Sequence, residues 1–424
     1  MNNRQTDMAD LGTARAPSVD DAKILPFLML LVCLTAFLEG FDAQIQGYVA
    51  PAIIKLWHIH KAAFGPVFVS FQFGFLLGAV GLGGFGDRIG RKRLIAGNVL
   101  LFGVFTLAGG FAPSVWSLAA TRFLSALFLG GTIPNAIALV VDYSPQRRPA
   151  VGIGIMYVIY AMGGAAGGFL SAMVVPALGW QSIFWGCGGL AAAYSVLLFL
   201  FLPESRHFQK SPTATPVVET PWARHLFANG RLWMTVSLWA AFCANQIALQ
   251  FSNSWMPTLF SGAGMGYARS VAAGGLFQAG GALGSLVCGF LLGGKAGLRW
   301  LTVFSLMAVP TVFLLGQAMG IGPLLSALAL AAGFCIIGSQ TGLNASAGFL
   351  YPATLRSTGA GWANGIGRIG SMVGPLMGAG LIQLDLPVGV VFMIAAVPSL
   401  CVALLVTMAG KTRPQDVFEK AREQ

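Results

Sequence analysis

The segment LPFLMLLVCLTAFLEGFDAQIQGYVAPAI, Leu25–Ile53, is an almost unbroken apolar run that carries two acids near its middle, Glu39 and Asp42. A helix needs about 20 apolar residues to cross ~30 Å of hydrocarbon, so this run reads as a membrane span with length to spare. An ionised carboxylate at mid-membrane costs at least ~2.5–3.5 kcal/mol, so it is rare there without a partner or a task. Glu39 and Asp42 are three residues apart and project from one side of a helix, towards a shared interior. They are the candidate proton-coupling pair.

The rest of the chain fits the same solvent. Of 424 residues, 56% are hydrophobic and 9% are charged, against about 25% charged in a soluble domain. Twelve spans start near residues 25, 64, 94, 115, 150, 180, 231, 270, 300, 322, 359 and 387. Their apolar runs are continuous, without the two-residue alternation of a membrane β-barrel. With the N-terminus inside, 20 of the 25 Lys and Arg fall on the cytoplasmic side, including the clusters at Arg88–Arg93 and Arg206–Arg231. This is the positive-inside pattern, so the net charge of +11 reports topology and not a nucleic-acid partner. The polar N-tail, with four acids before residue 22, is unlike a cleaved signal. The expected layout is a cytoplasmic tail (1–23), a six-helix half (24–204), a cytoplasmic loop (205–230), a second half (231–410) and a cytoplasmic C-tail (411–424).

The two halves read as a repeat. An offset of about 207 residues aligns Gly90 with Gly297 and Pro145 with Pro352. It also aligns Gly152, Gly154, Gly163 and Gly167 with Gly359, Gly361, Gly370 and Gly374. Parallel six-helix halves imply a pseudo-two-fold axis along the membrane normal, with a binding site at midplane between them.

Between spans two and three runs GGFGDRIGRKR, Gly83–Arg93, which matches the G-x-x-x-D-R-x-G-R-[KR] signature of the major facilitator superfamily. Its second copy, Gly289–Arg299, keeps glycines and basic ends but lacks the acid. Within that superfamily the chain resembles the aromatic acid:proton symporter family, which includes 4-hydroxybenzoate- and 3-hydroxyphenylpropionate-type transporters. EGFDAQIQGYVAPAI is similar to the family's D-G-x-D stretch, with Glu39 in place of the usual first Asp. TRFLSALFLGGTIPNAIALVVDYSPQRR resembles its Arg-containing fourth span, with Asp142 where Glu is common. YPATLRSTGAGWANGIGRIGSMVGP follows its Y-P-x-x-x-R-x-T-G and G-I-G-R-x-G pattern. The resemblance implies an all-α fold of twelve transmembrane helices in a bacterial inner membrane, with both termini cytoplasmic. It also implies import of a small aromatic carboxylate with a proton by alternating access, with no other cofactor. The oligomeric state stays open, with a monomer as the default.

Two arginines lie inside spans. At about 1.5 Å per residue, Arg122 comes out near the depth of Asp42, and Arg368 roughly 14 Å from the cytoplasmic side. Arg122 is expected to pair with Asp42, and Arg368 to attract a substrate carboxylate, with Asn364 one turn away. The substrate-binding set is Arg122, Arg368 and Asn364, with Phe41, Tyr160, Trp255 and Trp362 as walls for an aromatic ring. Gln246 and Gln250 would read ring hydroxyls; with Asn253 they fall at i, i+4 and i+7 of span seven. The gating set is Gly83, Asp87, Arg88, Gly90, Arg91, Asp142 and Arg148. All six cysteines lie in spans without a C-x-x-C pair, which suits small buried residues. His58-x-His60 has no third ligand nearby, so no metal site is expected. No catalytic constellation is present, so the chain does not read as an enzyme. Two other functions stay open: an organic anion or drug exporter of the same superfamily, and a transporter-like sensor without turnover.

Overall fold

Backbone N–H and C=O groups find no water in hydrocarbon, so a long apolar run satisfies them within itself as a helix. The computed structural model describes residues 19–143, 149–205, 226–228, 230–292, 297–318, 321–352 and 355–412. Twelve of its helices are long and apolar enough to cross a membrane. They are α1 (Val19–Trp57), α2 (Gly65–Gly81), α3 (Arg91–Gly109), α4 (Val115–Tyr143), α5 (Pro149–Leu178), α6 (Gln181–Phe201), α7 (Leu232–Gly262), α8 (Tyr267–Leu292), α9 (Gly297–Gln317), α10 (Gly322–Leu350), α11 (Arg356–Gln383) and α12 (Val388–Lys411). No strand occurs among the described residues. The N-tail to residue 18, Arg148, loop residues 206–225 and the C-tail from residue 413 lie outside them.

Without a hydrophobic force between helices in lipid, close backbone approach decides packing, and glycine permits it. A Cβ at Gly74 or Gly78 of α2 would collide with the Phe123 or Leu127 carbonyl of α4. About 207 residues later, Gly280 and Gly284 of α8 meet the Leu330 and Phe334 carbonyls of α10 in the same way. Gly163 of α5 meets Phe37 O, and its counterpart Gly370 of α11 meets Cys243 O. The repeat is therefore physical: the aligned glycines make equivalent helix–helix seams in each half. Gly40 packs on the Tyr160 carbonyl of α5 where no methyl fits. Gly40→Ala is expected to lower stability by about 1–3 kcal/mol, read as a lower melting temperature in detergent. Gly97→Ala, which meets nothing within 4 Å, is the silent control.

The apolar core is shared unevenly. At the end carrying the α1–α2 turn, one cluster spans both halves, joining Ile53, Phe64 and Phe68 to Phe251, Trp255 and Phe260. There the Tyr267 hydroxyl of α8 donates to Tyr48 O of α1 at 3.0 Å, and Gly168 abuts Gly275. At the other end each half keeps its own cluster. Leu28, Val99, Leu139 and Leu198 pack in the first half, and Leu238, Leu301, Leu343 and Val402 in the second. No described apolar cluster joins the halves at that end. The bundle is closed at one end and parted at the other.

Candidate functional site

Asp42 sits on α1, fully buried, and faces Arg122 of α4. Arg122 Nη1 donates to Oδ1 at 3.0 Å and Nη2 to Oδ2 at 3.0 Å, and Nη2 also reaches Asp42 O at 2.8 Å. The Thr106 hydroxyl of α3 donates to Oδ1 at 2.7 Å and Ser125 Oγ to Oδ2 at 3.3 Å. The guanidinium lies between the rings of Phe71 (4.7 Å) and Phe184 (5.6 Å). A two-pronged Arg pair is the geometry that best offsets the desolvation of a buried carboxylate. One assignment is thereby corrected. Arg122 is fully buried and both terminal nitrogens are engaged by Asp42, so it has no hand free for a substrate. Sequence reasoning missed Thr106 and Ser125. Ser125 was within reach, being one turn beyond Arg122 on the same helix face; nothing distinguished Thr106 from other threonines in spans.

Glu39, one turn earlier on α1, has the opposite surroundings. It is fully buried, and neither carboxyl oxygen has a hydrogen-bond partner. The Thr132 hydroxyl of α4 lies beside it but donates to Phe128 O at 3.1 Å. An ionised carboxyl there would have no compensating hydrogen bond among the described residues.

Arg368 projects from α11 in the second half and lies over the Phe75 ring of α2 in the first, 4.3 Å from its centroid. Among the described residues it makes no hydrogen bond or ion pair, and it is half-buried. The Tyr157 and Tyr160 hydroxyls of α5 are within electrostatic reach of both Glu39 and Arg368. Gln246 of α7 packs beside Gly367, next to Arg368 in sequence, and its buried Oε1 is unpartnered. Gln250 accepts from Asn253 at 3.3 Å. Asn364 is exposed and donates to Ala360 O of its own helix. Glu39, Tyr160, Arg368 and Gln246 thus gather where the halves meet, and Tyr157 and Phe75 join them unforeseen.

Three aromatic assignments change. Trp255 is fully buried; its indole N–H donates to Pro375 O at 2.9 Å and its ring meets Phe68 edge-on, so it is part of the shared core. Trp362 shares the exposed face of α11 with Ile369, Val373 and Leu376. At about 100° per residue it points roughly 160° away from Asn364, and it stacks on Trp239. Phe41 is buried against Gly167 of α5 and acts as packing.

The gating residues form a second cluster at the parted end of the first half. Arg91 pairs with Asp142 at 2.7 Å, and Ser205 Oγ donates to the same oxygen at 2.6 Å. Glu204, not foreseen, accepts from the Lys92 and Ser205 amides at 3.1 and 2.9 Å, placing a carboxylate at the N-terminus of α3. Gly90 has φ +96°, and a Cβ there would meet this carboxylate, so glycine is required twice over. Asn135 holds the turn by donating to Gly83 O at 3.3 Å. Arg88 is exposed with its cation over Phe85, and Asp87 falls in the short helix Gly86–Ile89.

Residues 32–375 match the model of the Major Facilitator Superfamily. The chain belongs to that superfamily. It is 32% identical to a gallate transporter of Pseudomonas putida, over 91% of this chain and 92% of the relative. It is 34% identical to a 4-hydroxybenzoate transporter of the same organism (84% and 86% covered). A 3-(3-hydroxy-phenyl)propionate transporter of Escherichia coli is 32% identical (95% and 98% covered). Among solved structures, a bacterial homolog of the human lysosomal transporter Spinster, inward-facing and occupied, superposes with a TM-score of 0.74. That match has 18% identity and covers 91% of this chain and 97% of that one, so it bears on the fold. The superfamily consists of transporters and not enzymes, and the chain is a multi-pass protein of the bacterial inner membrane.

Proposed function

We propose that the protein imports a small aromatic carboxylate, of the hydroxybenzoate or hydroxyphenylpropionate kind, together with a proton by alternating access. The observation that carries this is Arg368, a half-buried cation inside a membrane bundle with no ion-pair partner among the described residues. Asp42 and Arg122 cancel each other, so a carboxylate arriving at Arg368 completes the charge balance of the site. Glu39, an intramembrane acid whose carboxyl oxygens have no hydrogen-bond partner among the described residues, is the proton carrier. The positive-inside bias of the basic loops supports reading the parted end of the bundle as the cytoplasmic one, and the conformation as inward-facing. The printed substrates of these three relatives each join an aromatic ring to a carboxylate, and the carboxylate is the part that suits a free Arg368.

The test is uptake of labelled 4-hydroxybenzoate, gallate or 3-(3-hydroxyphenyl)propionate into proteoliposomes with an alkaline interior. Accumulation above equilibrium, abolished by a protonophore, is expected for at least one. Arg368→Gln is expected to raise KM by about 10²-fold, the loss of a buried charge-assisted pair. Wild-type KM in that variant would remove Arg368 from the site.

A further inference from the structure

We infer that Phe75 is the positioning residue of the carboxylate subsite: its ring, supplied by the first half, holds the Arg368 guanidinium of the second half in a fixed plane with its nitrogen edge free. This rests on the proposed role of Arg368. The contact itself is geometric. The guanidinium carbon lies 4.3 Å from the Phe75 centroid, well inside cation–π range. Arg368 has no competing hydrogen bond or ion pair among the described residues, so the ring is what fixes the plane of an otherwise rotamer-rich side chain.

The platform is rigid. Phe75 is buried, and its backbone carbonyl lies against Gly130 of α4 where no methyl fits. Gly74 and Gly78, on either side of it, abut the Phe123 and Leu127 carbonyls. Three glycine contacts therefore clamp this stretch of α2 to α4, and Phe75 cannot shift without moving both helices. Arg368 is carried on α11, which is clamped to α7 through Gly370 and Gly374. The cation and its platform belong to different rigid units, so their contact depends on how the two halves stand to each other.

The guanidinium carbon sits over the ring, and no hydrogen bond among the described residues engages its N–H edge. That edge is what a carboxylate grips with two parallel hydrogen bonds. Fixing it in advance removes an ordering cost that substrate binding would otherwise bear. Because Phe75 acts through Arg368, its contribution attaches to the carboxylate, whatever ring the carboxylate carries.

The experiment is initial-rate uptake in proteoliposomes by wild type, Phe75→Leu, Phe75→Met and Phe75→Tyr, with both 4-hydroxybenzoate and 3-(3-hydroxyphenyl)propionate. Phe75→Leu is expected to raise KM about 5–30-fold, the range of a cation–π contact from exposed to desolvated, with Vmax changed by less than about twofold. Phe75→Met fills similar volume without a ring and is expected to match Phe75→Leu, which separates the ring from mere packing. Phe75→Tyr keeps the ring face and is expected to restore KM. The increase should be the same factor for both substrates. Unequal factors would mean that Phe75 touches the substrate ring directly, and an unchanged KM in both Leu and Met variants would mean that it does nothing; either overturns the inference. Arg368→Gln separates the two levels. If it destroys affinity while Phe75→Leu does not, Arg368 keeps its role and Phe75 loses its own. If Arg368→Gln is silent, the carboxylate binds elsewhere and the underlying assignment has failed.

Discussion

Arg122→Leu is expected to lower stability by about 3–5 kcal/mol, because it strands Asp42 in the bundle with its principal donors removed. Asp42 accepts from both terminal nitrogens of Arg122, at 3.0 Å each, and both residues are wholly excluded from solvent. Thr106 and Ser125 could still donate one hydrogen bond each, which is too little for an ion in an apolar interior. Asp42→Asn is expected to be milder, since the amide oxygen still accepts from the guanidinium. The double variant Asp42→Asn with Arg122→Gln removes both charges and should recover most of the loss. Thermal unfolding of the purified protein in detergent, followed by the fluorescence of its ten tryptophans, reads all four. Equal melting temperatures for Arg122→Leu and the double variant would show that the pair contributes nothing beyond packing.

Glu39→Gln is expected to uncouple transport from the proton gradient while leaving exchange of substrate across the membrane intact. Glutamine is close to glutamic acid in size but cannot release a proton, so it fixes the site in its neutral form. A gradient of one pH unit is worth about 1.4 kcal/mol per proton, which supports roughly tenfold accumulation of a monoanion moved with one proton. Wild type should approach that ratio, with uptake rising as the outside becomes more acidic than the inside. In Glu39→Gln the ratio should fall to about one at every gradient, and counterflow should persist. Asp42 holds both terminal nitrogens of Arg122, so Asp42→Asn should loosen the first half and impair exchange as well as accumulation. Gradient-driven accumulation by Glu39→Gln would place the coupling group elsewhere.

Glu39 and Asp42 also show how far the sequence reaches. Both are acids in the same apolar run, three residues apart, and in the sequence only depth along the spans, which sets Arg122 near Asp42, tells them apart. The distinction comes from α3 and α4, which bring Thr106, Arg122 and Ser125 to one carboxylate and leave the other with only a Thr132 hydroxyl already hydrogen-bonded to its own helix. Trp255 and Trp362 make the same point among the aromatics. Each sits in a motif that reads as substrate-facing, but one is turned into the core and the other onto the outer face of its helix, a matter of about 100° per residue.

What the sequence determined by itself was the solvent and the architecture. Long apolar runs allow no backbone arrangement but helices in hydrocarbon; with glycines recurring about 207 residues apart, they carry twelve spans and a two-fold internal repeat. The charges inside those runs were conspicuous for the same reason, because a low-dielectric interior makes each one costly wherever it stands. Only the tertiary structure decided which hydroxyls and aromatic rings attend those charges, and which aromatic side chains turn away from them. Pairing depends on atoms brought within about 3 Å from helices far apart in sequence. No local pattern encodes the meeting of Arg368 with Phe75, or of Asp42 with Thr106.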